Sequence, residues 1–281
     1  MIVISEKIGA LGNQIVHFAH FIAFSAESGI PVLFPGFHEF APYFAGSFAG
    51  RIPSYPTPVT SQLKTGELTY RIIQKISRLV PHQGPLSVMD SGWENEDLGS
   101  AAFLQKAKVT KILFARGYGF RSKPLVEKHA DILKSYFTPV DSHFQSINTF
   151  AAKHLATEKP TVGVHIRHGD YRHWDGGKYF FETDSYVRIM KRYQELKGEP
   201  CRFLIASNEP QPIEAFAGLD VVMAPGHYIH DLYLLAKCSA IIGPPSSYST
   251  WSSFFGNVPL LRLKETNPPF SLADFKVWKS A

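Results

Sequence analysis

The sequence predicts an α/β protein made of two Rossmann-like domains. Short apolar, β-branched runs alternate with longer segments whose apolar residues recur at helical spacing, which is typical of parallel α/β sheets. This alternation occurs twice, before and after Lys159-Pro160. The 281 residues also provide room for about two domains of roughly 150 residues each. We therefore expect domains over residues 1–158 and 159–281, with a ligand bound in the cleft between them.

The first series begins with a strand over residues 1–4 and a helix over residues 14–28 that Gly29 ends. Residues 32–34 form the next predicted strand, which completes the first unit of a parallel sheet. Further predicted elements are the strand 111–114 and the helices 70–79, 123–137 and 145–155. Residues 35–66 are rich in Pro, Gly, Phe and Tyr without periodicity, and we expect a functional or poorly ordered loop there.

The second series begins after Pro160 with an apolar run over residues 161–166, which predicts a strand. Its other predicted strands are 203–206, 221–223, 240–242 and 259–263, and its predicted helices are 185–196, 231–238 and 248–255. Strands separated by helices predict a second parallel sheet.

Composition and charge exclude several classes of protein. Hydrophobic residues make up 44% and charged residues 19%, so the chain is not disordered. Cys201 and Cys238 are the only cysteines, which excludes a disulfide scaffold and a four-cysteine zinc site. The net charge is 29 − 24 = +5, and the sequence has no dense Lys/Arg stripe of the kind found in nucleic-acid-binding proteins. This mild positive charge suits a small anionic substrate. No apolar run is long enough for a membrane helix and the start lacks a leader pattern, so we expect a cytoplasmic protein.

The densest polar cluster runs from His165 to Asp175 and begins in the last two residues of the strand 161–166. It is therefore expected at the carboxyl end of a strand, where open α/β sheets bind ligands. The planar guanidinium of Arg167 matches phosphate oxygens, and Gly169 allows the backbone to turn sharply. The alternative is an ordinary solvated loop.

A metal site is the other chemical interpretation of this cluster. Its possible ligands are His165, His168, Asp170 and His173. However, residues three apart on a strand point to opposite faces, and the preceding residues do not predict a helix. We therefore favour phosphate binding and expect no metal.

Two further turns also join a predicted strand to a helix. Residues 243–251 carry four hydroxyls at the helix start, from Ser246, Ser247, Ser249 and Thr250. These hydroxyls suit helix capping, or phosphate binding by a helix N-terminus. Residues 9–14 lack the dinucleotide and P-loop fingerprints, so Asn13 is either a helix cap or a ligand-binding group.

The segment before the predicted helix 231–238 contains three further polar residues. We expect Asp231 to cap this helix and His227 and His230 to be surface groups. The two cysteines have no Cys-x-x-Cys partner, so they are interpreted as core or surface thiols.

Taken in order, the three turns resemble motifs of the fucosyltransferase superfamily, and of the bacterial α-1,2-fucosyltransferases in particular. The first turn of those enzymes reads Gly-Arg-Leu-Gly-Asn-Gln, and the corresponding turn here is Gly9-Ala10-Leu11-Gly12-Asn13-Gln14. Their second motif reads His-x-Arg-Arg-Gly-Asp-Tyr, and the corresponding segment here is His165-Ile166-Arg167-His168-Gly169-Asp170-Tyr171. Ser246-Ser247-Tyr248-Ser249-Thr250-Trp251 resembles their Ser-Ser-Phe-Ser-Trp-Trp. The resemblance spans almost the whole chain.

The resemblance implies a GT-B fold with an acceptor-side domain first and a GDP-fucose domain second. It implies a metal-independent, inverting transfer of fucose to a hydroxyl of a glycan or other saccharide acceptor. The implied catalytic residues are Arg167, which holds the β-phosphate, Asn13, which contacts the fucose or its phosphate, and Asp175. The implied donor-binding residues are Gly12, His165, His168, Asp170, Asp231, Ser246, Ser247, Ser249 and Thr250. Phenylalanines between Phe34 and Phe48 are candidates to line an acceptor groove.

Two departures from the motifs remove permanent positive charges. Ala10 and His168 stand where the resembled enzymes have arginine. A sugar-nucleotide-binding protein without turnover is therefore one alternative, and a metal-dependent hydrolase using the histidine cluster is another. For the general base we favour Asp175, then Glu182 and then Asp170, although Asp170 is close enough to Arg167 to orient it instead.

Overall fold

The computed structural model describes residues 1–47, 50–56, 64–92 and 95–279. The chain divides into two compact units, Met1–Val140 and Asp141–Lys279. This division precedes the helix Asp141–His154, whereas the sequence prediction placed the boundary after it. The helix belongs with the second unit because it packs against the helix Tyr228–Leu235.

The first unit contains a mostly parallel sheet. The strands described in it are β1 (Ile2–Ile4), β2 (Val32–Leu33), β3 (Ser54–Tyr55), β4 (Leu86–Asp90), β5 (Glu96–Asp97), β6 (Ile112–Arg116) and β7 (Phe120–Arg121). Its described helices are α1 (Leu11–Ser28), α2 (Glu67–Leu79), α3 (Ala101–Val109), α4 (Lys123–Lys128) and α5 (Ala130–Tyr136). The sheet order is β3-β2-β1-β6-β4, with β3 antiparallel, and β5 pairs with β7 separately.

The core of the first unit is aromatic. Phe34, Phe37 and Phe44 are fully buried, and Phe37 lies between the rings of Phe18 and Phe137 at centroid distances of 5.5 and 6.0 Å. The expectation that these phenylalanines line a groove is therefore wrong for Phe34, Phe37 and Phe44, which are core residues. Phe48 lies outside the described residues.

Several elements of the first unit differ from the prediction. The predicted helix 123–137 is broken at His129, whose ring bonds the Glu27 carboxylate of α1 at 2.8 Å. Strands β3, β4, β5 and β7 and helix α3 were not predicted, because they are short or mix polar with apolar residues. The predicted loop 35–66 contains two short 3-10 turns and β3, and its residues 48–49 and 57–63 lie outside the described residues.

The second unit contains a fully parallel sheet. Its described strands are β8 (Thr161–Ile166), β9 (Arg202–Ser207), β10 (Asp220–Met223), β11 (Ala240–Gly243) and β12 (Leu260–Arg262). Its described helices are α6 (Asp141–His154), α7 (Thr183–Lys197), α8 (Tyr228–Leu235) and α9 (Ser247–Gly256). Both sides of β8 are buried, and Val164 pairs with Ile205 of β9 and Ile242 of β11.

The strand order of this sheet is β10-β9-β8-β11-β12. The chain therefore builds outward from β8 to β9 and β10, and then returns to add β11 and β12 on the other side. In open α/β sheets the crevice at such a reversal, outside the carboxyl ends of the strands, binds the ligand. Here the reversal lies between β8 and β11.

Within the described part of the chain, no helix combines the length and the apolar character needed to cross a membrane.

Candidate functional site

The loops that follow β8 and β11 meet at the point where the strand order reverses. The Tyr171 hydroxyl donates to the Pro245 carbonyl at 2.7 Å, and the rings of His165 and Tyr248 lie 5.0 Å apart. The structure therefore brings together the two polar segments that the sequence predicts at strand ends, 165–175 and 243–251. The parallel register explains this, because the carboxyl ends of neighbouring parallel strands share one edge of the sheet.

Arg167 lies at the centre of this edge. Its Nη2 is 2.7 Å from Oδ1 of Asp170, and its guanidinium lies 5.4 Å from the centroid of the Tyr171 ring. The side chain is only 26% exposed, and its buried Nε has no hydrogen-bond partner in the protein. A buried polar atom without a protein partner is available to a bound ligand or a water molecule. Arg167 is thus oriented by a carboxylate while one N–H remains for an anion.

Gly169 allows the chain to turn directly after Arg167. Its φ is +58°, and a Cβ there would lie 2.8 Å from the Asn208 side chain. The same Asn208 accepts a hydrogen bond from the His168 backbone N–H at 2.8 Å. Glycine is therefore required both by the left-handed conformation and by the close approach of Asn208.

His168 occupies a structural position at this turn. It is buried, and its Nε2 bonds the Phe181 carbonyl at 3.0 Å while its Nδ1 bonds the Gln211 side-chain amide at 3.2 Å. Both ring nitrogens are therefore engaged within the unit. In this arrangement His168 does not replace the phosphate-binding charge of an arginine, and its implied donor contact stays a prediction.

His165, in contrast, has a ring nitrogen without a partner. The residue is buried, and its Nδ1 lacks a hydrogen bond within the protein. Burial, together with the nearby charge of Arg167, lowers the pKa of His165 to about 3. The ring is therefore neutral at physiological pH and offers a polar atom to a ligand on the sheet edge.

The start of α9 contains the four predicted hydroxyls, which have different roles. Ser246 is the N-cap, and its Oγ accepts from the Tyr248 N–H at 3.2 Å. Ser249 and Thr250 are buried and donate to the Ser246 carbonyl at 3.3 and 2.7 Å. Their hydroxyls thus stabilise the first turn, whereas Ser246 and Ser247 lie half-buried at the helix N-terminus, where an anion is attracted.

Arg262, at the end of β12, is a second cation of this site that the sequence analysis missed. Its Nη2 donates to Oγ1 of Thr250, and its guanidinium lies 3.7 Å from the Trp278 ring centroid. Burial lowers its pKa, and its Nε is buried without a partner. The signal available in the sequence was an arginine directly after the apolar residues of the last strand.

Asp231 is not the helix cap that the sequence analysis expected. Helix α8 begins at Tyr228, and the ring of His227 caps it by accepting from the Ile229 N–H at 3.3 Å. Asp231 is therefore inside the first turn and is buried, with its Oδ1 accepting from the Gly226 N–H at 3.2 Å. Burial raises the pKa of this carboxyl to about 7.

The three candidate general bases are all exposed, but their surroundings differ. Asp175 is exposed in a turn where its φ is +50°, and Glu182 is exposed immediately before α7. Asp170 contacts Arg167, so its position fits the orienting role that the sequence analysis considered for it. The roles of Asp175 and Glu182 stay predictions.

The remaining predicted residues lie in the first unit. Helix α1 begins at Leu11 after the exposed Ala10, so Asn13 is its third residue and not its cap. The Asn13 side chain accepts from the Tyr118 hydroxyl at 3.3 Å, and Gly12 is buried in the first turn. A Cβ on Gly9, whose φ is +67°, would lie 2.2 Å from the Asn13 side chain.

The alternative metal ligands do not converge. Within the described residues, no three of His165, His168, Asp170 and His173 bring ligand atoms within 4.8 Å of one another. His165 and His168 are buried, while His173 is exposed.

The fold is shared with solved fucosyltransferase structures. A mutant of FUT1 from Arabidopsis thaliana in complex with GDP matches with a TM-score of 0.59 at 12% identity, over 95% of this chain and 72% of that chain. Fucosyltransferase NodZ from Bradyrhizobium matches with a TM-score of 0.58 at 16% identity, over 96% of both chains. POFUT1 in complex with GDP matches with a TM-score of 0.53 at 11% identity, over 92% of this chain and 96% of that chain.

A scan against known protein families gave no match, and a search of curated proteins gave none. The structural matches therefore define the class of fold: a mixed α/β protein with parallel sheets, of the GT-B-like type found in fucosyltransferases.

Proposed function

We propose that this protein is an inverting fucosyltransferase that transfers fucose from GDP-fucose to a hydroxyl of a glycan or saccharide acceptor. The observation that carries the proposal is a set of three buried nitrogens without protein partners, on His165, Arg167 and Arg262, at one edge of the second sheet. These groups and the N-terminus of α9 offer hydrogen-bond donors and positive charge to an anionic ligand. GDP-bound structures among the matches support a nucleoside diphosphate as that ligand.

In this proposal the two guanidiniums perform the electrostatic part of the reaction. The acceptor oxygen attacks the anomeric carbon of fucose, and the bond from that carbon to the β-phosphate oxygen breaks. The electron pair leaves with GDP, so negative charge grows on the diphosphate. Arg167 and Arg262 stabilise this charge in a partly buried site, so the transfer step is proposed to need no metal.

The guanine end of the donor is assigned to Asp231 and His165. A carboxylate is acceptor-only when ionised, which complements the adjacent N–H donors on the edge of guanine. Asp231 is buried with one backbone N–H as partner, so a bound guanine would also stabilise its charge. Ser246 and Ser247 are assigned to the diphosphate because they lie at the N-terminus of α9.

The general base is proposed to be Asp175, with Glu182 as the alternative. The acceptor must lose a proton as its oxygen attacks, and Asp175 is an exposed carboxylate in the loop that follows Arg167. The exposed position suits a group that meets an acceptor from solvent. The linkage formed stays a prediction, since the sequence resembles α-1,2 enzymes while a structural match is an α-1,6-fucosyltransferase.

The proposal is tested by calorimetry with GDP and by a GDP-release assay with GDP-fucose and an acceptor panel. We expect Arg167→Ala to weaken GDP binding by more than about tenfold, because a charge-assisted hydrogen bond contributes about 1.5–3 kcal/mol. The matched control is Arg192→Ala, which removes an exposed arginine paired with Glu195 on α7. GDP binding that is equal in Arg167→Ala and Arg192→Ala would remove Arg167 from the site.

A second candidate function is sugar-nucleotide binding without turnover. Two observations favour it: Ala10 is an exposed, uncharged residue, and the ring nitrogens of His168 are both engaged within the protein. A binding protein of this kind should bind GDP, but it should release GDP from GDP-fucose no faster with an acceptor present than without one. The transferase proposal predicts release that depends on both the acceptor and Asp175.

A further inference from the structure

Three histidines of the second unit form a cluster that the proposed transfer reaction does not use. His143 lies on α6, His227 caps α8, and His230 lies in the first turn of α8. The His143 Nδ1 is 2.9 Å from the His230 Nε2. The ring of His227 lies 5.2 Å from the ring of His143 and 4.4 Å from that of His230.

The local fold explains why these rings converge. His227 and His230 are three residues apart at the start of α8, so their side chains share one side of the helix. Helix α6 packs against α8 and brings His143 to that side. The cluster therefore joins two helices that are far apart in the chain.

We propose that these three histidines bind a divalent transition metal ion, and that the ion is Zn²⁺. One ligand nitrogen from each histidine lies within 4.8 Å of the others. Among the residues described by the structure, no other three His, Cys, Asp or Glu side chains meet this spacing. Imidazole nitrogens suit Zn²⁺, whereas Ca²⁺ and Mg²⁺ prefer oxygen ligands.

For the pair His143 and His230, zinc binding requires little rearrangement. Two nitrogens 2.9 Å apart, each about 2.05 Å from a zinc ion, subtend an angle of about 90° at the metal. A tetrahedral angle needs a separation of about 3.3 Å, so the rings of His143 and His230 move apart by about 0.4 Å. The proton between these two nitrogens moves to the other nitrogen of its ring. Three ligands then leave the fourth position to water.

A bound ion would connect α6 to α8 and fix the start of α8, the helix that also presents Asp231. The effect on donor recognition through Asp231 rests on the proposed function, whereas the metal site itself does not. Zinc binding in a protein that fails to bind GDP would support this inference and contradict only the proposed function.

The test is a calorimetric titration of untagged protein with ZnSO4. We expect one zinc ion per chain. Loss of a residue that only supports a metal ligand lowers metal affinity by roughly 10–100-fold. His143→Ala and His230→Ala each remove a ligand, so each should lower the zinc affinity by more than that. His173→Ala, which removes an exposed histidine outside the cluster, is the control and should bind as wild type. Cys201 and Cys238 are buried and do not compete for added metal.

Thermal unfolding provides the second readout. Zn²⁺ at about 100 times its Kd should raise the Tm of wild type and His173→Ala by about 5–10 °C, and leave the Tm of His143→Ala unchanged. If His143→Ala fails to fold, His143→Gln takes its place in both measurements. Wild type that binds no zinc, or a folded His143 variant that binds it with wild-type affinity, would overturn the proposal.

Discussion

The buried carboxylate of Asp231 yields a prediction in which stability and ligand binding change in opposite directions. Asp231 is 5% exposed, and its Oδ1 accepts a hydrogen bond from Gly226. Burial raises its pKa from 3.8 to about 7. Each pKa unit corresponds to 1.36 kcal/mol, so the raised pKa means that the charged carboxyl lowers the free energy of unfolding by as much as about 4 kcal/mol.

The sign of the pH dependence follows from the direction of this shift. Between about pH 4 and pH 7 the folded chain holds the proton of Asp231 and the unfolded chain does not, so stability falls as the pH rises. Asp231→Asn cannot ionise and keeps an oxygen for the Gly226 N–H. We therefore expect the variant to be more stable than wild type at pH 8 by up to about 4 kcal/mol, and equally stable near pH 4.

The measurement is denaturant unfolding from pH 4 to pH 8 without ligand, with Glu214→Gln as the control for loss of an exposed carboxylate. In the same variant, GDP affinity at pH 8 should fall by more than about tenfold, because an amide lacks the second acceptor oxygen and the charge. An Asp231→Asn protein that is no more stable than wild type at pH 8 would refute the argument from burial.

Three further predictions concern the sheet edge. Arg262→Ala should weaken GDP binding, measured by calorimetry, by more than about tenfold. It should also lower the free energy of unfolding, measured with denaturant, by about 0.5–2 kcal/mol through loss of the contact with the Trp278 ring. A loss of stability with unchanged GDP binding would make Arg262 purely structural. Asp175→Asn should leave GDP binding unchanged while lowering the rate of acceptor-dependent GDP release, and normal release would transfer the role of base to Glu182. Gly169→Ala should destabilise the protein by about 1–3 kcal/mol, because it combines a φ of +58° with a contact of 2.8 Å to Asn208; unchanged denaturant unfolding would contradict this.

The sequence predicted best the elements whose cause is local. Strand β8 was predicted to the residue, because a largely apolar and β-branched run, with His165 as its one ionisable residue, lies between Pro160 and the polar residues after Ile166. The parallel α/β class and the placement of the 165–175 and 243–251 loops at strand ends followed from the alternation of strands and helices. The short strands of the first unit were missed, because β4 places Ser87 within an apolar run and β3 is two residues long.

Residues whose positions depend on distant partners could not be predicted. Arg262 is held by Thr250 and Trp278, and neither contact has a pattern in the sequence. His168 directly follows Arg167 in the chain, yet its ring is held by Phe181 and Gln211. His227 and His230 were expected to be surface groups but are half-buried, and the third histidine comes from a helix that the sequence analysis assigned to the other domain.

The stack of Trp278 on Arg262 gives the last described residues a role at the sheet edge. The Trp278 N–H donates to the Ser253 hydroxyl at 3.1 Å, and Lys276 pairs with Leu260 of the final strand. A chain cut before Lys276 would lose the Trp278 ring that packs on the Arg262 guanidinium, while keeping the described strands and helices. Such a shortened protein should keep its secondary structure in circular dichroism and still lose nucleotide affinity, so carboxyl-terminal fusions and truncations need to be designed around this segment.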